Sequence, residues 1–261
     1  MMHSDKGRSV AGISSMAMRH VLVELCEDHA RHSGRPVSIT AVGGVDAIRR
    51  MRAGEAFDFA VLAADAIEDL TRSGHLDATT RVDLARSGVA VAVAAGTPKP
   101  NVTTEDALRE AVLAARSIGC STGPSGLHLA RLLERWGIAD IVAPRIVQAQ
   151  PGVPVGTLVA RRDVELGFQQ HSELLHVPGI DVVGMLPPAV DAITVFAAAA
   201  CSATCDSAAV RALLAFFAAP AADAAKRRHG MMPAREDGEF GVERPVYLSS
   251  CCSLSSSRNR G

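Results

Sequence analysis

Arg8-Ser9-Val10-Ala11-Gly12-Ile13-Ser14-Ser15 is the stretch that decides the fold. It reads as a short buried strand from Arg8 to Ile13 that stops in a turn of two hydroxyls, Ser14 and Ser15. From there residues 16–32 carry the apolar spacing of an amphipathic helix. A strand that passes through hydroxyls into a helix is an anion-binding arrangement. The first backbone N–H groups of the helix have no partner within it, and the macrodipole places partial positive charge there.

Outward from this unit, strand-like apolar runs alternate with helical periodicity, which predicts an α/β sheet. Residues 36–42 form a second strand, followed by Gly43-Gly44 and a helix over 46–52 with Asp46 as its N-cap. A third strand covers 57–62, and Asp65 caps a short helix that stops at Gly74. A long extended run over 82–95 leads to a helix that starts at Thr103-Thr104 and reaches about residue 116. A strand over 117–120, a loop over 121–126 and a helix over 127–136 come next, the helix ended by Gly137. A short strand over 145–148, a helix opened by Pro154 at its first position, and strands over 164–170 and 180–183 follow. A second long extended run over 192–200 and two helices, 206–217 and 221–228, complete the pattern.

The two long extended runs predict two lobes joined by two crossover strands. One lobe takes residues 8–86 and 195–234, the other 87–194, and paired crossovers form a hinge that can close on a ligand. A single doubly wound sheet with two long strands is the alternative. Residues 235–261 are Ser-rich and of low complexity, and are expected to be a disordered tail whose role the sequence leaves open.

The composition narrows the function. The chain has 261 residues, 48% of them hydrophobic and 21% charged, with a formal net charge of −1, so no basic face suggests nucleic acid. Aromatic residues at 3% leave no stacking platform for single strands. The longest apolar run, 192–200, falls far short of the ~20 residues of a membrane span. Residues 1–7 are polar and run straight into a strand, so the chain as written is expected in the cytoplasm, and in the periplasm if the true start lies upstream. Cys26 and Cys120 sit in apolar segments as buried thiols. Cys201 and Cys205 lack a second ligand pair, and Cys251-Cys252 lie in the tail, so neither a metal site nor a disulfide framework is expected. The nucleotide-loop, dinucleotide and zinc-protease motifs are absent, and no cofactor is expected.

Four strand-to-helix loops remain: Ser14-Ser15, Gly43-Gly44, Thr122-Gly123-Pro124-Ser125-Gly126 and Gln150-Pro151-Gly152-Val153. In an open α/β lobe, ligands bind outside the carboxyl ends of strands. Two loops from each lobe would surround a small anion with hydroxyls, N–H groups and helix N-termini. Gln169, Gln170, His171, Ser172 and Glu173 close an apolar strand, either as an exposed loop or as a fifth wall.

In the order and spacing of these segments, residues 8–234 resemble the type II periplasmic binding proteins, most closely the molybdate-binding proteins of ABC importers. The residues that carry the resemblance are Ser14-Ser15, the run from Gly43 to Gly54, the run from Phe57 to Asp65, the Gly123-Pro124-Ser125-Gly126 loop, Val164 to Gln170 and Arg228-His229-Gly230-Met231-Met232-Pro233-Ala234. The resemblance implies a two-lobed fold and a tetrahedral oxyanion held by serine hydroxyls, backbone amides and a tyrosine. Ser15, Ser125 and Gly126 match ligating positions. The second-loop serine falls on Gly44 or Val45, the fourth-loop position on Gly152 or Val153, and the tyrosine on Gln170, so two ligating hydroxyls are replaced. The ligand set is therefore expected among Ser14, Ser15, Gly43, Gly44, Ser125, Gly126, Val153 and Gln170. A carboxylate, helped by Arg19 or Arg49, is as plausible a ligand as molybdate. An ABC permease is an expected partner only if an export signal is missing from this chain. The alternative is a cytoplasmic enzyme on the same scaffold, such as an isomerase resembling aconitate isomerase, with His171, Glu173 or His128 as the general base.

Overall fold

The computed structural model describes residues 8–150 and 152–235. The expected tail, apart from Arg235, and the residue Pro151 of the fourth loop lie outside the described residues.

The opening strand has the expected length but lies two residues further along the chain, so that Ser14 and Ser15 end the strand instead of forming the turn. Strand β1 covers Val10–Ser15, a 3-10 turn covers Met16–Met18, and helix α1 covers Arg19–Ser33, closed by Gly34 at φ +71°. Strand β2 (Val37–Val42), helix α2 (Gly44–Arg52), strand β3 (Phe59–Ala63) and helix α3 (Ala64–Arg72) follow. Neither expected aspartate is an N-cap. Gly43 and Ala63 hold those positions, while Asp46 and Asp65 sit in the first turn, where a carboxylate still complements the helix dipole.

The long run 82–95 is strand β4 (Val82–Ala94). After it come α4 (Glu105–Ala114, capped by the Thr104 hydroxyl), β5 (Ile118–Cys120), α5 (Pro124–Arg135), α6 (Ala139–Val142) and β6 (Ile146–Gln148). Helix α5 starts three residues earlier than its periodicity suggests, with Pro124 in its first turn, so Ser125 and Gly126 belong to the helix and not to the loop. Helix α7 (Val155–Ala160) has Pro154 as its N-cap. Strand β7 (Leu166–Gln170), the one-turn helix α8 (His171–Leu174), β8 (Ile180–Met185), β9 (Ile193–Ala200), α9 (Ser207–Ala218), α10 (Asp223–Arg228) and β10 (Met232–Pro233) complete the chain.

Register shows how two lobes arise. The strands run in the order β2-β1-β3-β9-β4-β7-β5-β6, with β8 and β10 both pairing with β4. Strand β4 pairs with β9 from Val82 to Gly88, then with β7 from Val89 to Ala92. The change of partner between Gly88 and Val89 is where the chain crosses from one lobe to the other, and β9 makes the return. In the first lobe Phe59, Phe196 and Phe217 pack with α1 and α9 on one sheet face, and Ile13, Leu62 and Ile67 with α2 and α3 on the other. In the second, Ile118, Leu129 and Phe168 pack under α5, while Val155, Val159 and Val164 form a smaller cluster under α7. Each lobe thus buries its own core, and the two crossover strands and their neighbours join them.

Candidate functional site in the cleft between the lobes

A cavity of about 190 Å³ opens between the lobes, at the carboxyl ends of β1, β2, β3, β5, β6 and β7. Ser15, Gly43, Gly44 and Asp65 line it from the first lobe, and Ser125, Val153, Gln169, Gln170 and Glu173 from the second. The strand-to-helix loops of both lobes therefore converge, as an open α/β sheet places them.

Ser15 is the most informative of these residues. It ends β1 and caps the 3-10 turn geometrically, yet its hydroxyl makes no bond to that turn. It is 9% exposed, and its Oγ has no hydrogen-bond partner among the described residues. A buried hydroxyl without a partner costs ~1–3 kcal/mol, which a bound acceptor would offset. Ser14 is also buried and unpartnered, but it does not line the cavity.

On the opposite wall, Ser125 Oγ lies 2.9 Å from Ser121 Oγ, which also accepts the Gly123 N–H at 3.2 Å. Gly126 stays off the cavity wall. A Cβ at Gly126 would stand 1.8 Å from the Ser121 carbonyl oxygen, so its role is to let α5 close on the strand end. Gly43 and Gly44 have open space where a side chain would project.

The two glutamines at the end of β7 do different things. Gln169 Oε1 accepts the Val155 N–H at 2.8 Å, at the start of α7, and its Nε2 donates to Glu173 Oε2 at 2.6 Å. Gln170 turns to the hinge. With its amide oriented as its neighbours require, the nitrogen donates to the carbonyls of Ser87 (3.0 Å) and Gly88 (3.2 Å) on β4, and the oxygen accepts from the Thr194 hydroxyl of β9 at 2.8 Å. One amide thus ties both crossover strands to the second lobe on the floor of the cleft.

Of the three candidate bases, the structure brings only Glu173 to the cavity. His171 faces away, into a hollow lined by Arg86, Gly88 and Gly230. His128 Nε2 lies 2.8 Å from the Val190 carbonyl, outside the cleft. The α8 turn causes the division, because residues two apart on a helix point to different sides. Among the described residues Glu173 has no cationic partner, and burial pushes its carboxyl up to about 7, with the Gln169 N–H pulling the other way.

The basic residues expected to assist are absent from the cavity wall. Arg49 pairs with Asp46 on the exposed face of α2, and Arg19 does not line the cavity. Among the described residues, Asp65 and Glu173 are the ionisable groups on the wall, and no lysine, arginine or histidine is there. Among the described residues no cluster of side chains suits a metal ion, and Cys26, Cys120 and Cys201 are buried free thiols.

Two lobes, two crossover strands and a loop-lined cleft define the solute-binding protein architecture. The model of the bacterial extracellular solute-binding protein family matches residues 11–232, and the chain belongs to that family. It is 36% identical over 184 residues to an aconitate isomerase from a Pseudomonas species, covering 70% of each chain. Among solved structures it is similar to the periplasmic molybdate-binding protein of Azotobacter vinelandii, at TM-score 0.72 and 20% identity over 85% of this chain and 98% of the other. The tungstate-binding protein of Desulfovibrio alaskensis is also similar, at TM-score 0.64 and 14% identity, over 88% of this chain and all of that one. These structural likenesses establish the type II two-lobed fold.

No single helix among the described residues is long and apolar enough to cross a membrane.

Proposed function

We propose that the cleft binds a small anion, an organic carboxylate or a comparable oxyanion, without a basic side chain. The observation that carries this reading is the buried, unpartnered Ser15 hydroxyl on the cavity wall, at the start of the turn that leads into α1. Around it stand the N-termini of α2 and α5, whose first N–H groups supply donors and partial positive charge. An anion held by neutral donors keeps a negative charge in a partly buried site, as helix termini and hydroxyls allow. The test is calorimetric titration with molybdate, citrate and trans-aconitate. Saturable binding of at least one is expected, and Ser15→Ala is expected to weaken it about tenfold, the value of ~1.4 kcal/mol for one lost hydrogen bond.

A second reading, an isomerase of a small unsaturated acid, is favoured by the similarity to an aconitate isomerase and by Glu173 on the cavity wall. In such a reaction a methylene carbon loses a proton, the double bond moves by one position, and the former vinylic carbon gains a proton, with no change in oxidation state. Glu173, one of the two acids on the wall, would exchange that proton. Proton NMR of trans-aconitate with the protein in D₂O distinguishes the readings: deuterium entering the methylene marks an enzyme, and an unchanged spectrum a binder. As a receptor the protein would deliver its solute to an ABC permease from outside the cytoplasmic membrane. Fractionation of cells that produce it from its genomic locus tests that localisation.

A further inference from the structure

Glu173 poses a problem for any anion in this cleft. The cavity walls carry donors aimed at negative charge, and among the described residues no cation stands on them to neutralise a carboxylate. An ionised Glu173 beside a bound anion would place two like charges together in a partly desolvated space, which strongly disfavours one of them. The carboxyl is not turned away by its surroundings. It is fixed at the wall by Gln169, whose own oxygen is anchored by the first N–H of α7.

We propose that Glu173 meets the bound anion as a neutral acid and donates its O–H to it, so that the cleft takes up a proton together with its ligand. The inference rests on the anion-binding reading above and does not require turnover.

The neighbourhood supports it. The elements packed on α8 are β4, β7, α7 and the 3-10 turn Met16–Met18. Strand β7, helix α7 and the turn contain no titratable side chain. Strand β4 contributes Asp83 and Arg86, and Arg86 lines the hollow that His171 faces. His171 on α8 itself points into that same hollow, and Asp65 is the other acid on the cavity wall. Among the described residues no positive charge is thus seen to draw the Glu173 proton away, and burial already holds the carboxyl at about 7 before any ligand arrives. A protonated carboxyl offers one O–H donor, whereas an ionised one only accepts. Selectivity follows: the neutral acid favours ligands that present a hydrogen-bond acceptor at this wall, and alkaline solution weakens their binding.

The experiment is isothermal titration calorimetry of the full chain with trans-aconitate and, separately, with molybdate, at pH 5.5 and pH 8, in two buffers of different ionisation enthalpy. At pH 8 close to one proton is expected to be taken up per ligand, and at pH 5.5 almost none. Affinity should fall about tenfold for each pH unit above the Glu173 value. Glu173→Gln, which keeps a hydrogen-bond donor at the same place, is expected to bind at both pH values with equal affinity and no proton uptake. Binding to the wild-type protein at pH 8 without proton uptake overturns the proposal and leaves the anion reading intact. The same holds if Glu173→Gln, folded by its melting temperature, retains the wild-type proton uptake. If neither ligand binds at either pH, the proposal falls, and the anion reading falls with it unless citrate binds.

Discussion

The Gln169 amide nitrogen stands 2.6 Å from Glu173 Oε2, while the oxygen of the same amide takes the Val155 N–H at 2.8 Å. One side chain thereby connects the start of a helix to the acid on the cavity wall. Gln169→Ala breaks both bonds and a longer one from the Gly156 N–H at 3.4 Å, leaving two buried N–H groups and the carboxyl without this amide. A loss of ~1–3 kcal/mol in urea unfolding is expected. Because the Gln169 N–H favours the ionised carboxyl, its removal should also raise the Glu173 pKa, measurable as an upward shift of the carboxyl in a ¹³C NMR titration.

The neighbouring amide acts on the hinge. Gln170→Leu removes the bonds to the Ser87 and Gly88 carbonyls on one crossover strand and to the Thr194 hydroxyl on the other. The expected loss is ~1–3 kcal/mol in urea unfolding, from polar groups left buried without partners. An unchanged urea midpoint would mean that the crossover strands are held without this amide.

Two glycines on the cleft loops should respond oppositely. Gly126→Ala forces a Cβ to 1.8 Å from the Ser121 carbonyl oxygen and should cost at least ~1–3 kcal/mol as α5 is pushed off the strand end. Gly44→Ser meets nothing within 4 Å and adds a hydroxyl on the cavity wall, so the fold should be unharmed. Thermal melts of the two variants side by side check the contrast.

Stability should depend on pH through two opposed groups of residues. Behind the hinge, His20, His176 and His229 gather from both lobes. The His20 and His176 rings lie 4.3 Å apart, and His229 Nδ1 is 2.9 Å from His176 Nε2. On its other side His229 Nε2 lies 2.8 Å from Glu24 Oε2, and Arg228 pairs with the same carboxylate. Burial first, and then neighbouring positive charge, hold His20 and His176 below the ordinary 6.5. The folded protein then binds fewer protons than the unfolded chain, so stability is lost as pH falls through 6.5 toward the lowered values. Glu173 has the opposite sign. Raised from 4.5 to about 7, it makes the folded protein hold a proton that the unfolded chain releases, so stability falls as pH rises across that window. Urea midpoints between pH 5 and 7.5 should therefore rise more steeply with pH in Glu173→Gln than in the wild type.

Much of this could be read from the chain, for local reasons. The strand–hydroxyl–helix unit at Ser14-Ser15 and the alternation of strands and helices rest on side-chain periodicity, and the two long strands declared themselves by length. Helix starts were less legible. Pro124, Ser125 and Gly126 look like a loop because glycine and proline punctuate it, but proline is well suited to a first turn and Gly126 is needed where α5 meets Ser121. The site was legible as a set of loops, not as directions of side chains. Nothing local separates His171 from Glu173. Only the one-turn helix after β7, formed against the rest of the lobe, sends the histidine to one side and the acid to the other. Likewise, adjacent glutamines in sequence give no sign that one serves α7 and the other the hinge.

The central claim is that the cleft binds a small anion through Ser15 and backbone donors. Calorimetric titration of the wild-type protein and of Ser15→Ala with trans-aconitate, citrate and molybdate at pH 6 tests it most directly. Saturable one-to-one binding of at least one anion, weakened about tenfold by Ser15→Ala with an unchanged melting temperature of the free protein, is the predicted result. No heat of binding with any of them at millimolar concentration, or equal affinity in the variant, would contradict it.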